Sequence, residues 1–209
     1  MNLEADNWSV VVAGFWNPAI LTPAGIATRL FQLPEGTPVV IEAPIDGLAP
    51  TRVRYNKLTV TAEVGRLLVA ADEPVYGILD RARQVAIRAI QGLPETPYAA
   101  AGYNIRIKFQ EPTETFSENA KCSIDDVLSD AGYKIIQREL GRSLEMPPGV
   151  LNISLHQAEE TALLFNFHRQ SSKKEELIEW LGKPIADIEK VVSGLLNSLS
   201  GIQFEGLGK

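Results

Sequence analysis

The chain has 209 residues, 45% of them hydrophobic and 22% charged, enough apolar matter for a substantial core and too much for a disordered chain. A single cysteine, Cys122, excludes an internal disulfide and a cysteine-rich zinc site. The net charge of −6 divides into −4 over residues 1–50, +4 over 51–110 and −6 over 111–209, so only the middle segment suits a polyphosphate partner.

The first predicted strand is Ser9-Val10-Val11-Val12-Ala13. Its continuous apolar run suits a central place in a sheet. Thr22-Pro23 reads as a helix start, with threonine as cap and proline at the first helical position. Ile26, Leu30 and Leu33 then share a face, and Leu33-Pro34-Glu35-Gly36 ends the helix. Residues 39–42 form a second strand, and Asp46-Gly47 marks a loop. Three short strands follow, Arg52–Tyr55, Leu58–Thr61 and Arg66–Val69, with a hairpin turn at Glu63-Val64-Gly65-Arg66. Leu58, Val60, Ala62 and Val64 alternate with polar residues, which predicts one wet face.

The clearest helix spans about 74–91, capped by Asp72, with Ile78, Leu79, Ala82, Val85, Ala86, Ala89 and Ile90 at helical spacing. Gly92 and Pro94 end it. Tyr103, Ile105, Ile107 and Phe109 alternate with Asn104, Arg106, Lys108 and Gln110 as an amphipathic strand. Residues 111–121 are polar and mark a boundary between two halves, 1–112 and 122–209, unless the chain is one continuous domain. Ser123 caps a short helix ending near Ala131-Gly132, and Lys134 to Leu144 reads as a strand. Met146-Pro147-Pro148-Gly149 turns the chain into a hairpin of Val150–His156 and Ala162–His168. Ser172 and Glu175 have capping-box spacing and open a last helical region that Gly182-Lys183-Pro184 divides. Its stripe runs from Leu177, Trp180 and Leu181 to Leu195, Leu196 and Leu199. The tail Gly206–Lys209 is expected to fray. Short turns between successive strands predict an α+β fold, mostly antiparallel sheet packed by two or three long helices.

The two histidines fall in the last hairpin, so a shared metal can be tested by geometry. Facing the apolar residues of the two strands pairs Leu151 with Phe167, Ile153 with Phe165 and Leu155 with Leu163. His156 then pairs with Ala162 and His168 with Val150. The histidines share a face but stand about 20 Å apart along the ladder, whereas zinc ligands must lie within about 2.1 Å of one centre. No metal or other cofactor is expected. The same register groups Asn152, Ser154, His156, Asn166 and His168 on one polar face. Its simple role is solvation, and its sharper one is binding, since Asn and His both donate and accept.

Arg52, Arg54, Lys57, Arg66, Arg106 and Lys108 come from predicted strands and turns of the basic segment. If those strands adjoin, Arg52, Arg54, Arg106 and Lys108 form a basic patch. The simple reading is edge charge that discourages aggregation, and the functional one is an anion or nucleic-acid site. Stacking aromatics there are limited to Tyr55 and Tyr103. Cys122 follows Lys121 near a helix start, but no base is tied to it, so an inert thiol is expected. No G-x-S-x-G turn, phosphate loop or zincin helix is present.

No apolar run approaches the ~20 residues of a membrane-spanning helix. Residues Met1 to Asp6 lack the pattern of a secretion signal, so the cytoplasm is the expected compartment and no membrane partner is expected. The first functional expectation is a non-catalytic interaction or assembly protein, homo-oligomeric through the last helical stripe or through Trp8, Phe15 and Trp16. The alternatives are an anion- or nucleic-acid-binding module on the basic strands, and an enzyme whose site is assembled from scattered residues.

Overall fold

The computed structural model describes residues 3–45 and 49–201. The turn expected at Asp46-Gly47 and the tail Gly206–Lys209 lie outside the described residues. Nine strands form one antiparallel sheet: β1 (Leu3–Gly14), β2 (Val40–Glu42), β3 (Arg52–Tyr55), β4 (Leu58–Glu63), β5 (Arg66–Ala71), β6 (Tyr98–Phe109), β7 (Arg138–Met146), β8 (Gly149–Gln157) and β9 (Thr161–Gln170). Their order is β2-β3-β4-β5-β1-β6-β9-β8-β7. Both halves of the chain therefore contribute to a single sheet, joined where β6 pairs with β9.

β1 is central, as its continuous apolar run requires. It pairs with β5 on one side and β6 on the other. The double pairing covers residues 9–13, and the extension of the strand back to Leu3 is held by β6 alone. Two successive residues of positive φ, Asn56 (49°) and Lys57 (64°), turn β3 into β4. This is the backbone of a type I′ hairpin, reached here without glycine.

The fold is α+β, but its helices are more numerous and mostly shorter than the two or three long ones expected. Six helices occur among the described residues: α1 (Pro23–Gly25), α2 (Tyr76–Gly92), α3 (Glu114–Asn119), α4 (Ser123–Asp130), α5 (Lys174–Leu181) and α6 (Ile185–Ser200). Only α2 and α6 are long. Thr22 caps α1 by accepting from the Gly25 amide, and α1 widens at once into a π turn over Ile26–Leu30. The expected boundary segment 111–121 is itself partly helical, as α3.

Three expected caps are not made: Ser123 is the first residue of α4, whose N-cap is Cys122, and the caps of α2 and α5 also differ. α2 starts at Tyr76 with Val75 as N-cap and no side-chain bond, because Asp72 is held by Thr59 instead (2.5 Å). α5 starts after Lys173 with no side-chain cap. There the Ser171 hydroxyl accepts from the Lys173 amide, in place of the Ser172–Glu175 box. β7 begins at Arg138 rather than Lys134, because its partner β8 ends at Gln157, opposite Arg138.

The core lies between one sheet face and the helices. Trp8, Val10, Val12, Val60, Leu67, Val69, Tyr103, Ile105, Phe165 and Phe167 are all buried on that side. α2 packs on β5 and β1, α5 on β6 and β9, and α6 on α2 and α3. Polar atoms within this layer bridge elements, as buried groups must. The Tyr103 hydroxyl (2.8 Å) and the Arg83 guanidinium (3.1 Å) both donate to the Leu181 carbonyl at the end of α5. One contact thus ties β6, α2 and α5 together. Burial pushes the Tyr103 phenol up from its ordinary value and keeps it a donor. The last helical stripe packs inward: Leu177, Trp180, Leu181, Ile188, Val192 and Leu196 are buried.

β6 and β9 approach so closely that a Cβ on Gly102 would sit 2.0 Å from the Phe167 carbonyl oxygen. A Cβ on Gly141, on β7, meets nothing within 4 Å. Gly102→Ala is expected to cost about 3 kcal/mol, the upper end for overpacking, and Gly141→Ala to change stability by about 0.5 kcal/mol or less. Urea unfolding of the two variants checks this. Equal midpoints would contradict the close pairing of β6 with β9.

Candidate functional site

Alternation puts the polar candidates on the sheet face opposite the helices. The register of the last hairpin is the one the sequence implies. Leu151 faces Phe167, Ile153 faces Phe165, Leu155 faces Leu163, His156 faces Ala162 and His168 faces Val150. The two histidines are therefore held about 20 Å apart along the strands. Among the described residues, no group of three or more His, Cys, Asp or Glu side chains is placed to hold a metal ion.

The polar residues of this hairpin form a chain of hydrogen bonds across four strands. The Ser143 hydroxyl donates to the Asn152 carbonyl oxygen (2.8 Å), Asn152 donates to Asn166 (3.0 Å), and Asn166 donates to Asn104 (2.8 Å). The sequence placed Asn152 and Asn166 together. It did not place Asn104 or Ser143 beside them, because the pairings β6–β9 and β7–β8 were not assigned. Each amide here satisfies a neighbour, which stiffens the sheet and leaves fewer donors for a ligand. His156 lies at the edge of this region, its Nδ1 3.3 Å from Glu139.

The basic residues do not form one patch. β3, with Arg52 and Arg54, and β6, with Arg106 and Lys108, are separated by β4, β5 and β1, roughly 19 Å across the sheet. Five of the six candidate cations also have carboxylate partners, Lys57 reaching Glu73 at 2.7 Å. Arg54 meets Glu42 and Asp72, each at 3.2 Å. Arg66 grips Glu63 with two bonds of 3.0 Å. Arg106 (3.5 Å) and Lys108 (3.5 Å) both reach Asp6, and Lys108 also reaches Glu160 at 3.3 Å. These pairs are partly exposed and individually worth little, but they cancel the positive field. Arg52 makes no ion pair among the described residues. It faces Thr61 across the β3–β4 ladder, in a polar cleft of about 330 Å³ that also holds Asp6, Asn7, Arg54 and Asp72. Thr59 and Thr61 line this cleft at only 7% and 4% exposure, so the face is less wet than its alternation implies.

Cys122 sits at the N-cap of α4 and is half-buried. Its backbone amide donates to Asp125 (3.3 Å), whose carboxylate also binds Arg138 (2.7 Å). The Arg138 hydrogen bond leads in holding the Asp125 carboxyl below its ordinary value. α4 is therefore anchored to the start of β7.

Beside Val40, Ile41 and Ile45 at the β2 edge and Leu144 on β7, two further apolar clusters are exposed. The first is at the end of β1. Trp16 is buried, but Phe15 is 69% exposed, beside Ile20 and Val64 and a rim of Pro18, Pro94 and Pro97. The second is on α4 and the chain after it, where Ile124 (57%), Val127 (65%) and Leu128 are exposed, followed by Tyr133 and Ile136. The spacing of Ile124, Val127 and Leu128, at i, i+3 and i+4, was available as a signal for an apolar helix face.

Compared with known proteins, the chain matches no family model and no curated protein. Among the described residues, no helix is long and apolar enough to cross a membrane.

One ionic cluster gives the fold a defined acid sensitivity. Hydrogen bonds from Lys173, Arg169 and Ser171 pull the Glu176 carboxyl down from an ordinary 4.5 to about 2. The folded value lies below the unfolded one, so this contribution is present above about pH 4.5 and is lost as pH falls toward 2. Glu176→Gln is expected to remove part of the fall in thermal midpoint across that window. Identical pH profiles for the variant and the parent chain would contradict the pairing.

Proposed function

We propose that this protein is non-catalytic and acts by association, in the first instance with copies of itself. The observation that carries the reading is the contrast between its two kinds of surface. Most polar and charged side chains of the sheet face bind one another, in the Asn ladder and in the pairs of Arg54, Arg66, Arg106 and Lys108. The large apolar side chains at Phe15 and along α4 have no such cover. Clustered exposed apolar residues, an aromatic among them, are what interface cores are made of. Closed two-fold dimers are the commonest way for identical chains to bury them.

A nucleic-acid footprint draws less support, because the basic strands stand apart and are matched by carboxylates. A smaller anion at Arg52 is the second reading, favoured by a guanidinium that faces Thr61 in the polar cleft and makes no ion pair among the described residues.

Native mass spectrometry at low and high salt separates the two readings. The expected result is twice the single-chain mass, insensitive to salt because the contact is apolar. A single-chain mass at every concentration would overturn self-association. A bound mass lost at high salt and absent in Arg52→Ala would favour the anion site.

A further inference from the structure

The polar cleft on the open sheet face has the size of a small-molecule site, about 330 Å³. Its lining includes short side chains of β4 and β5, among them Thr59, Thr61 and Ala70. The surface therefore dips between β3 and β1, which stand roughly 14 Å apart across the sheet. On the β1 side, the pairing with β6 shifts register between Asp6 and Ser9, and Asn7 takes φ 51°. Irregularities of this kind re-aim side chains beside sites.

Most polar groups of the cleft already serve one another. The Thr59 hydroxyl donates to Asp72 (2.5 Å) and accepts from Arg54 (3.2 Å). Arg54 also pairs with Asp72 and Glu42. Two groups are left over, and they adjoin. Thr61 is 4% exposed and lines the cleft, yet its hydroxyl makes no hydrogen bond to another described residue. Buried polar groups ordinarily have a partner. Arg52 is directly opposite on β3 and makes no ion pair among the described residues. Cβ atoms so paired lie about 5 Å apart, so one carboxylate can accept from both the hydroxyl and the guanidinium.

The far wall has the opposite sign. Asp6 is held there only by Arg106 and Lys108, each 3.5 Å away. Both come from β6, on the side of β1 away from β5. The charged lining residues are two arginines, Arg52 and Arg54, and two aspartates, Asp6 and Asp72. A dianion held at Arg52 would meet both aspartates. A ligand carrying both signs matches both walls.

We infer that this cleft binds a small zwitterion, with a carboxylate at one end and an ammonium group at the other. The carboxylate accepts from Arg52 and Thr61, and the ammonium donates to Asp6. This rests on the second reading above, an anionic group at Arg52, and adds the other half of the ligand.

NMR titration of the full chain tests it. The probes are ε-aminocaproate, a zwitterion, and caproate, which lacks the ammonium group. ε-Aminocaproate should move the amide signals of Arg52, Thr61 and Ala70 and bind at least about tenfold more tightly than caproate. Its affinity should fall as salt is raised. Arg52→Ala changes an exposed residue and should weaken both probes at least about tenfold. Asp6→Asn should lower ε-aminocaproate to the affinity of caproate and leave caproate unchanged. Equal affinity for the two probes, binding of inorganic phosphate alone, or an Asp6→Asn variant that binds ε-aminocaproate as the parent does overturns the zwitterion and leaves the anion reading standing. No shift at those amides with either probe or with inorganic phosphate overturns both.

Discussion

The pairing of β1 with β6 is the constraint on which the rest of the structure depends. β1 is twelve residues long, as is β6, and the two run antiparallel with Leu3 opposite Phe109 and Gly14 opposite Tyr98. Each then carries a further strand on its outer side, β5 and β9. Over residues 9–13 β1 is bonded on both sides, so there the side chains alone decide which face is buried. Trp8, Val10, Val12, Tyr103, Ile105 and Ile107 take the helix side. A one-residue slip would turn all of them to the open face.

Away from that centre the cover thins. α2 and α5 lie over the middle strands, and the edges are left with narrower protection. At one edge, Glu42 on the outermost strand β2 pairs with Arg54 on β3, a charge of the kind that discourages edge pairing. At the other, Phe116 of α3 and Leu199 of α6 reach over β7 and β8 and leave only a small groove beside Leu140, Ile153 and Leu155.

Much of this was legible in the sequence wherever short-range pattern decides the outcome. The continuous run at 9–13 placed β1 in the interior. Facing the apolar residues of 150–156 and 162–168 gave the observed register, because a two-residue period admits one solution once one face is buried. What the sequence withheld was adjacency between distant strands. Nothing local says that β1 inserts between β5 and β6, or that β6 meets β9. The Asn104–Asn166 bond and the separation of Arg52 from Arg106 both follow from that order. Caps were misread for a related reason. Asp72 could serve a nearby helix or a hydroxyl on β4, and tertiary contact with Thr59 decided it. α4 was legible as a helix, but the lack of cover on its apolar face emerged only with the fold.

Native-state hydrogen exchange tests the central claim most directly. If the β1–β6 pair organises the sheet, the amides of Val10, Val12, Tyr103 and Ile105 exchange only through global unfolding. Those of β7 and β2 then exchange through smaller local openings. Protection in β1 and β6 no greater than in β7 would contradict the account, and would place the structural centre of the sheet elsewhere.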